Sequence, residues 1–151
     1  MTDVTTASTK RLEKEAQSME KGPPQCFSAG PVSKEDLYVW RATLEVPAGS
    51  IYESGVFHLA ITFSGNYPFI PPKIRFSSPV FHPNVDRDGN IRLDILGSQW
   101  SPALTMDKVL IGIVSMLDEP NPKDPLNSEA AELFLTDRAA FCEKARKHIL
   151  E

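Results

Sequence analysis

Asn84, Asp86, Asp88, Gly89 and Ile91 follow the spacing at which an EF-hand loop sets its calcium ligands and its turn glycine. Such a loop must close on a bidentate Glu, where Ile95 stands. Pro83 and the prolines ahead of it leave no room for an entering helix, so calcium is not expected. The histidines are His58, His82 and His148, and no second histidine or carboxylate sits at metal-ligand spacing. Zinc is therefore not expected, and His82 reads as structural. Cys26 and Cys142 lie far apart, one just after the first expected helix and one within the last, and read as small core or surface thiols. Nothing in this inventory calls for a metal or a cofactor.

The elements that must position these groups follow from length and periodicity. A chain of 151 residues suits one domain and buries roughly 70% of the surface its unfolded form exposes, enough for a single core without metal or disulfides. A formal charge of −4 and a pI near 5.4 lack the basic footprint of a nucleic-acid binder. No hydrophobic run approaches the length of a membrane span or of a signal-peptide core. A soluble, monomeric protein of the cytoplasm or nucleus is expected, with no nucleic-acid or membrane partner.

Residues 1–8 are small and polar and are expected to be a flexible N-terminus, with a single domain over 9–151. Leu12, Ala16 and Met19 predict an amphipathic helix over 9–21, ended by Gly22-Pro23-Pro24. Period-two alternation predicts strands over 37–46 and 56–63, and a short strand over 73–76, joined as an antiparallel meander. Residues 77–104 form a long loop whose Phe81, Ile91, Leu93, Ile95 and Trp100 argue for order. Thr105 is the expected N-cap of a buried helix through Val109, Leu110, Ile113, Val114 and Leu117. Helices over about 128–135 and 137–150, the second capped by Thr136, close the chain. The class is α+β, an antiparallel meander sheet flanked by about four helices.

His82-Pro83-Asn84, Gly89-Asn90-Ile91, Arg92-Leu93-Asp94-Ile95-Leu96 and Trp100-Ser101-Pro102-Ala103-Leu104-Thr105 occur in this order. This stretch resembles the active-site segment of ubiquitin-conjugating enzymes. The runs Ser28-Ala29-Gly30-Pro31, Tyr67-Pro68-Phe69-Ile70-Pro71-Pro72 and Asn121-Pro122-Lys123-Asp124-Pro125-Leu126 match the same family, so the resemblance covers about residue 10 to the C-terminus. One departure falls on the residue that defines the chemistry, because Arg92 stands where the family keeps the cysteine that carries ubiquitin as a thioester. A thiolate is nucleophilic near neutral pH and keeps its acyl group transferable. A guanidinium stays protonated and has no lone pair to offer.

The resemblance implies roles for the residues around Arg92. Asn84 either steadies the oxyanion of the attack or braces the active loop, and Asp124 matches the acid that orients the attacking lysine. Arg11, Lys14, Phe69, Ser101, Pro102 and Ala103 match positions that contact RING and HECT ubiquitin ligases. Taken alone, Phe69 would be a core residue of a proline-rich loop. Leu93 matches a position near the donor ubiquitin, and Ser28 one where some members bind a second ubiquitin. The partners implied are ubiquitin, the ubiquitin-activating enzyme and the ligases, and a cis Tyr67–Pro68 bond is implied as well. Gly97, where many close members carry Arg, is a smaller departure.

The chain is therefore expected to be a ubiquitin-conjugating enzyme that is inactive as written. Two histories fit: Arg92 replaces an original cysteine, or the protein is a natural non-catalytic variant that binds ubiquitin or ligases. Retention of His82-Pro83-Asn84 favours the first. A buried unpaired guanidinium costs too much, so Arg92 is expected at the surface or paired with Asp124 or Asp94.

Overall fold

A computed structural model describes residues 2–21 and 27–149. The helix stop at Gly22-Pro23-Pro24 and the thiol of Cys26 lie outside the described residues. α1 (Thr2–Lys21) buries Leu12 and Met19. It begins seven residues ahead of the expected boundary at Thr9. The hydroxyls of Ser8 and Thr9 both hydrogen-bond the Tyr38 hydroxyl, at 2.5 and 2.9 Å, and this tertiary tether is invisible to local periodicity.

Four strands follow, β1 (Phe27–Ser33), β2 (Asp36–Glu45), β3 (Val56–Thr62) and β4 (Lys73–Phe76), in the spatial order β1-β2-β3-β4 with every neighbour antiparallel. The meander is as expected but has four strands, not three. Gly30 and Pro31 break the alternation that would have marked β1, and the register slips between Pro31 and Ser33. An edge strand tolerates this because one of its sides needs no ladder partner. Trp40, Ala42 and Leu44 of β2, Phe57, Leu59 and Ile61 of β3, and Ile74 and Phe76 of β4 face inward. They join Leu12 and the buried stripe of α2 (Met106–Asp118), Val109, Leu110, Ile113 and Leu117, in one core.

Two helix starts differ chemically from expectation. Thr105 occupies the N-cap of α2, but its side chain caps nothing and its hydroxyl turns to Asp107. The free Met106 N–H is taken instead by Glu15 Oε1 of α1 at 2.7 Å. α3 (Ser128–Thr136) is capped by Asn127, whose Oδ1 accepts from Ala130 N–H at 3.0 Å. α4 (Arg138–Ile149) is capped by Asp137, which accepts from Ala140 N–H at 3.1 Å. Thr136, the expected cap, closes α3 and donates to the Glu132 carbonyl at 2.7 Å. With these adjustments the fold is the expected α+β arrangement of four helices about one antiparallel sheet.

The 77–104 segment is ordered by its own backbone. Asp86 Oδ1 accepts from Asp88 and Asn90 N–H, each at 2.9 Å, so this carboxylate is spent on the turn that resembled a calcium loop. The turn closes onto β4 through Phe76 N–H to the Gly89 carbonyl at 2.8 Å and an Arg75–Asn90 bridge. Gly89 has φ +89°, and a Cβ there would lie 2.0 Å from the Phe76 carbonyl oxygen. Gly89→Ala is therefore expected to destabilise the protein by about 3 kcal/mol, read as a shift in the urea midpoint.

Candidate functional site

His82 has no exposed surface, and both ring nitrogens are used. Nδ1 accepts the Asn84 N–H at 2.9 Å, which leaves the proton on Nε2 to be donated to the Met116 carbonyl at the end of α2, at 2.8 Å. Burial of the ring pushes its pKa down from 6.5 to about 4, against the smaller opposing effect of the Met116 carbonyl. The folded chain thus keeps His82 neutral to about pH 4, whereas the unfolded chain protonates it below about 6.5. Its contribution to stability is complete above pH 6.5 and is lost as pH falls toward 4, amounting to about 3 kcal/mol. An NMR titration of the imidazole is expected to show a midpoint near 4 where an exposed histidine titrates near 6.5.

From this anchor the chain turns through Pro83, whose carbonyl accepts from Leu126 and Asn127 N–H at 2.8 and 3.1 Å. Asn84 follows, 2% exposed. Its Nδ2 donates to the carbonyls of Asn121 and Asp124, at 2.8 and 3.2 Å, and its Oδ1 accepts the Asn121 N–H at 2.8 Å. Of the two alternatives for Asn84, the geometry is that of the brace. Both donor directions and one acceptor direction of the amide are engaged in holding residues 121–124, and none of those donors points at a reacting atom.

The same short run fixes Arg92, whose N–H donates to the Asn84 carbonyl at 2.9 Å. The Arg92 and Asp124 side chains are 50% and 60% exposed, and Nη1 donates to Asp124 Oδ1 at 3.2 Å. The expected pairing holds, and of the two acids named for it Asp124 is the partner. Leu93, half buried, packs on the edge of the core, and a single 3₁₀ turn, Asp94–Leu96, leads away. Between this turn and α2 lies an open cleft of about 660 Å³, lined by Arg92, Leu93, Asp94, Gly97 and Ser98 on one side and Gly112, Ser115 and Met116 on the other. Asn84, Glu119, Asn121 and Asp124 complete it. Among the described residues no thiol lines this cleft, and Cys142 sits on α4 against the core cluster. Ser98 and Ser115 have no histidine beside them to act as a base, because His82 is buried and spoken for.

The other predicted site residues fall in separate places. Arg11, Lys14, Pro102 and Ala103 line one shallow groove together. Ser101 stands just before them, its Oγ accepting the Ala103 N–H at 3.2 Å. Phe69 is 69% exposed, so the core reading for it fails. The turn at Tyr67–Pro68, whose peptide bond is cis, throws its ring outward. Ser28 is exposed on β1 and borders a different depression with Arg41 and Thr43.

One further residue, which the motifs do not single out, belongs to this region: Glu15 of α1 is 7% exposed. Its Oε1 takes the Met106 N–H, and its Oε2 takes Arg11 Nε at 2.9 Å and the Tyr67 hydroxyl. Arg11 Nη2 continues to the Leu104 carbonyl at 3.0 Å, and the Trp100 indole N–H donates to the Pro68 carbonyl at 2.9 Å. Leu12, Glu15 and Met19 recur at helical spacing, and that was the available signal of an acid on the inner face of α1. The family model described as "Ubiquitin-conjugating enzyme" matches residues 11–149 of the chain.

Proposed function

The chain belongs to the ubiquitin-conjugating enzyme family, and from that premise we propose that it is a ubiquitin carrier whose transfer chemistry is removed by Arg92. In such a carrier a cysteine at this position takes ubiquitin from the activating enzyme by thioester exchange and releases it to a lysine on a ligase-bound substrate. The observation that carries the reading is an intact scaffold around an incompetent side chain. His82, Asn84 and the 121–124 loop are fastened together, Arg92 N–H is held at the Asn84 carbonyl, and the group presented to the cleft is a guanidinium.

In this reading Asn84 braces the loop that carries Asp124, and Asp124 is the acid that orients an incoming amine. A carboxylate favours the charged form of a neighbouring amine, so its role is positioning and not deprotonation. Here Asp124 is engaged by Arg92. Arg11, Lys14, Phe69, Ser101, Pro102 and Ala103 form the surface for RING and HECT ligases, supported by the exposure of the Phe69 ring and by a groove that holds two basic residues. Leu93 is assigned to the donor ubiquitin and Ser28 to a second one. A monomer working in the cytoplasm or nucleus completes the proposal. The test is Arg92→Cys incubated with activating enzyme, ATP and ubiquitin. A thiol-labile adduct on the variant and none on the parent supports a lost enzyme, whereas no adduct on either supports a non-catalytic binding module.

A further inference from the structure

Ser78 and Ser101 are each followed by proline, the step at which proline-directed kinases transfer phosphate. Their surroundings separate them. Ser78 is zipped into the sheet: its Oγ accepts the His58 N–H at 2.8 Å, and Ser77 donates to the His58 carbonyl through N–H and Oγ, at 2.8 and 3.1 Å. Ser101 lies outside every helix and strand, and among the described residues its hydroxyl meets only the Ala103 N–H, at 3.2 Å within its own turn. Pro102 and Ala103, which a kinase meets just beyond the acceptor, are exposed. Proline has no N–H to leave unsatisfied when the segment is drawn into an extended docking. The turn is closed by that Ala103 contact and by Leu104 N–H to the Ser101 carbonyl at 3.0 Å, both local, so it opens without disturbing the sheet.

The neighbourhood also suits the product. Pro102 and Ala103 share a groove with Arg11 and Lys14. Arg11 is committed to Glu15 and to the Leu104 carbonyl. Lys14 is exposed and, among the described residues, has no acid within ion-pairing distance, so it is the cation left to meet a new anion. Asp107 borders the groove and opposes an anion, but its carboxylate accepts the Thr105 hydroxyl.

We propose that Ser101 is a phosphorylation site for a proline-directed serine/threonine kinase, and that the phosphate, held by Lys14 and the Ala103 N–H, closes the groove to partners. Ser101 Oγ attacks the γ-phosphorus of ATP, and the bond from that phosphorus to the β,γ-bridging oxygen breaks. ADP leaves with the electron pair, and the hydroxyl proton passes to a carboxylate of the kinase. The modified residue carries about −1.5 to −2 charges and three strong acceptor oxygens. Paired with Lys14 by charge-assisted hydrogen bonds, it removes the groove's unpaired positive charge. That this weakens ligase binding rests on the function proposed above; that Ser101 accepts phosphate does not.

The test incubates the full chain with ATP and a purified mitogen-activated protein kinase, and locates the label by intact mass and peptide fragmentation. One phosphate is expected, on Ser101, with Ser78→Ala labelled like the parent and Ser101→Ala unlabelled. Pro102→Ala, which keeps the hydroxyl and removes the residue the kinase reads, should lose most of the label. By phosphorus NMR the phosphate should take its second negative charge at lower pH in the parent than in Lys14→Ala, because the ammonium favours the dianion. Isolated RING and HECT domains should bind the phosphoprotein about tenfold more weakly than the unmodified chain. A label on Ser78, or none at all, overturns the site. An ionisation that ignores Lys14→Ala, or domains that bind both forms equally, overturns the closing of the groove. If neither domain binds even the unmodified chain, the ligase reading fails, while the label and its ionisation still decide the phosphate site.

Discussion

Arg92→Cys is expected to raise thioester formation from background by on the order of a millionfold, the scale on which enzymes lose rate when their nucleophile is removed. The new thiol inherits a fixed backbone, because Arg92 N–H is held at the Asn84 carbonyl whatever side chain follows. The substitution removes one exposed ion pair, so stability should change by less than about 1 kcal/mol. Asp124 then faces a thiol instead of a guanidinium. A carboxylate neighbour disfavours the thiolate, so charging should quicken as pH rises through the ordinary thiol range near about 8.5. Non-reducing gels with and without thiol, run for the parent, Arg92→Ala and Arg92→Cys, check each point. Equal signal from Arg92→Ala would place the adduct on another cysteine and sink the assignment.

Asn84→Ala has the second largest expected effect, and its form separates the two roles first open for this residue. Three hydrogen bonds to residues 121 and 124 pass through one buried amide. Their loss should cost about 2–3 kcal/mol of unfolding free energy, equally in the parent and in the thiol-restored background. The Asn121 amide should exchange much faster with solvent. An oxyanion role predicts a different pattern: unchanged stability, and a fall of about a hundredfold or more in transfer seen in the thiol-restored protein alone. The orientation of the amide toward the 121–124 loop favours the first result.

What the sequence disclosed was local or motif-borne. β2 and β3 were legible because one face of each is buried and one wet, so Trp40, Ala42, Leu44 and Phe57, Leu59, Ile61 alternate cleanly. β1 was not, because its Gly30 and Pro31 carry no alternation and its place at the sheet edge is decided by pairing with β2. The start of α1 depended on a hydroxyl contact to Tyr38, thirty residues away in the chain. In the site, His82, Asn84, Arg92 and Asp124 were all nameable in advance. Which acid would meet Arg92 was not, since Asp94 is its near neighbour in sequence and Asp124 is brought up by the 121–127 connection held at Pro83 and Asn84. Helical spacing could place Glu15 on the inner face of α1 but not name what holds it there, since two of its three donors, the Tyr67 hydroxyl and the Met106 N–H, come from distant stretches.

Those three donors have a consequence for association. One carboxylate joins α1, the turn that throws Phe69 outward and the first residue of α2, while Arg11 and Trp100 add ties on either side. The face proposed above for ligases is therefore cross-tied before any contact is made. Little rotamer and loop entropy remains to be surrendered when a complex forms, so even a small footprint there can convert most of its contact energy into affinity.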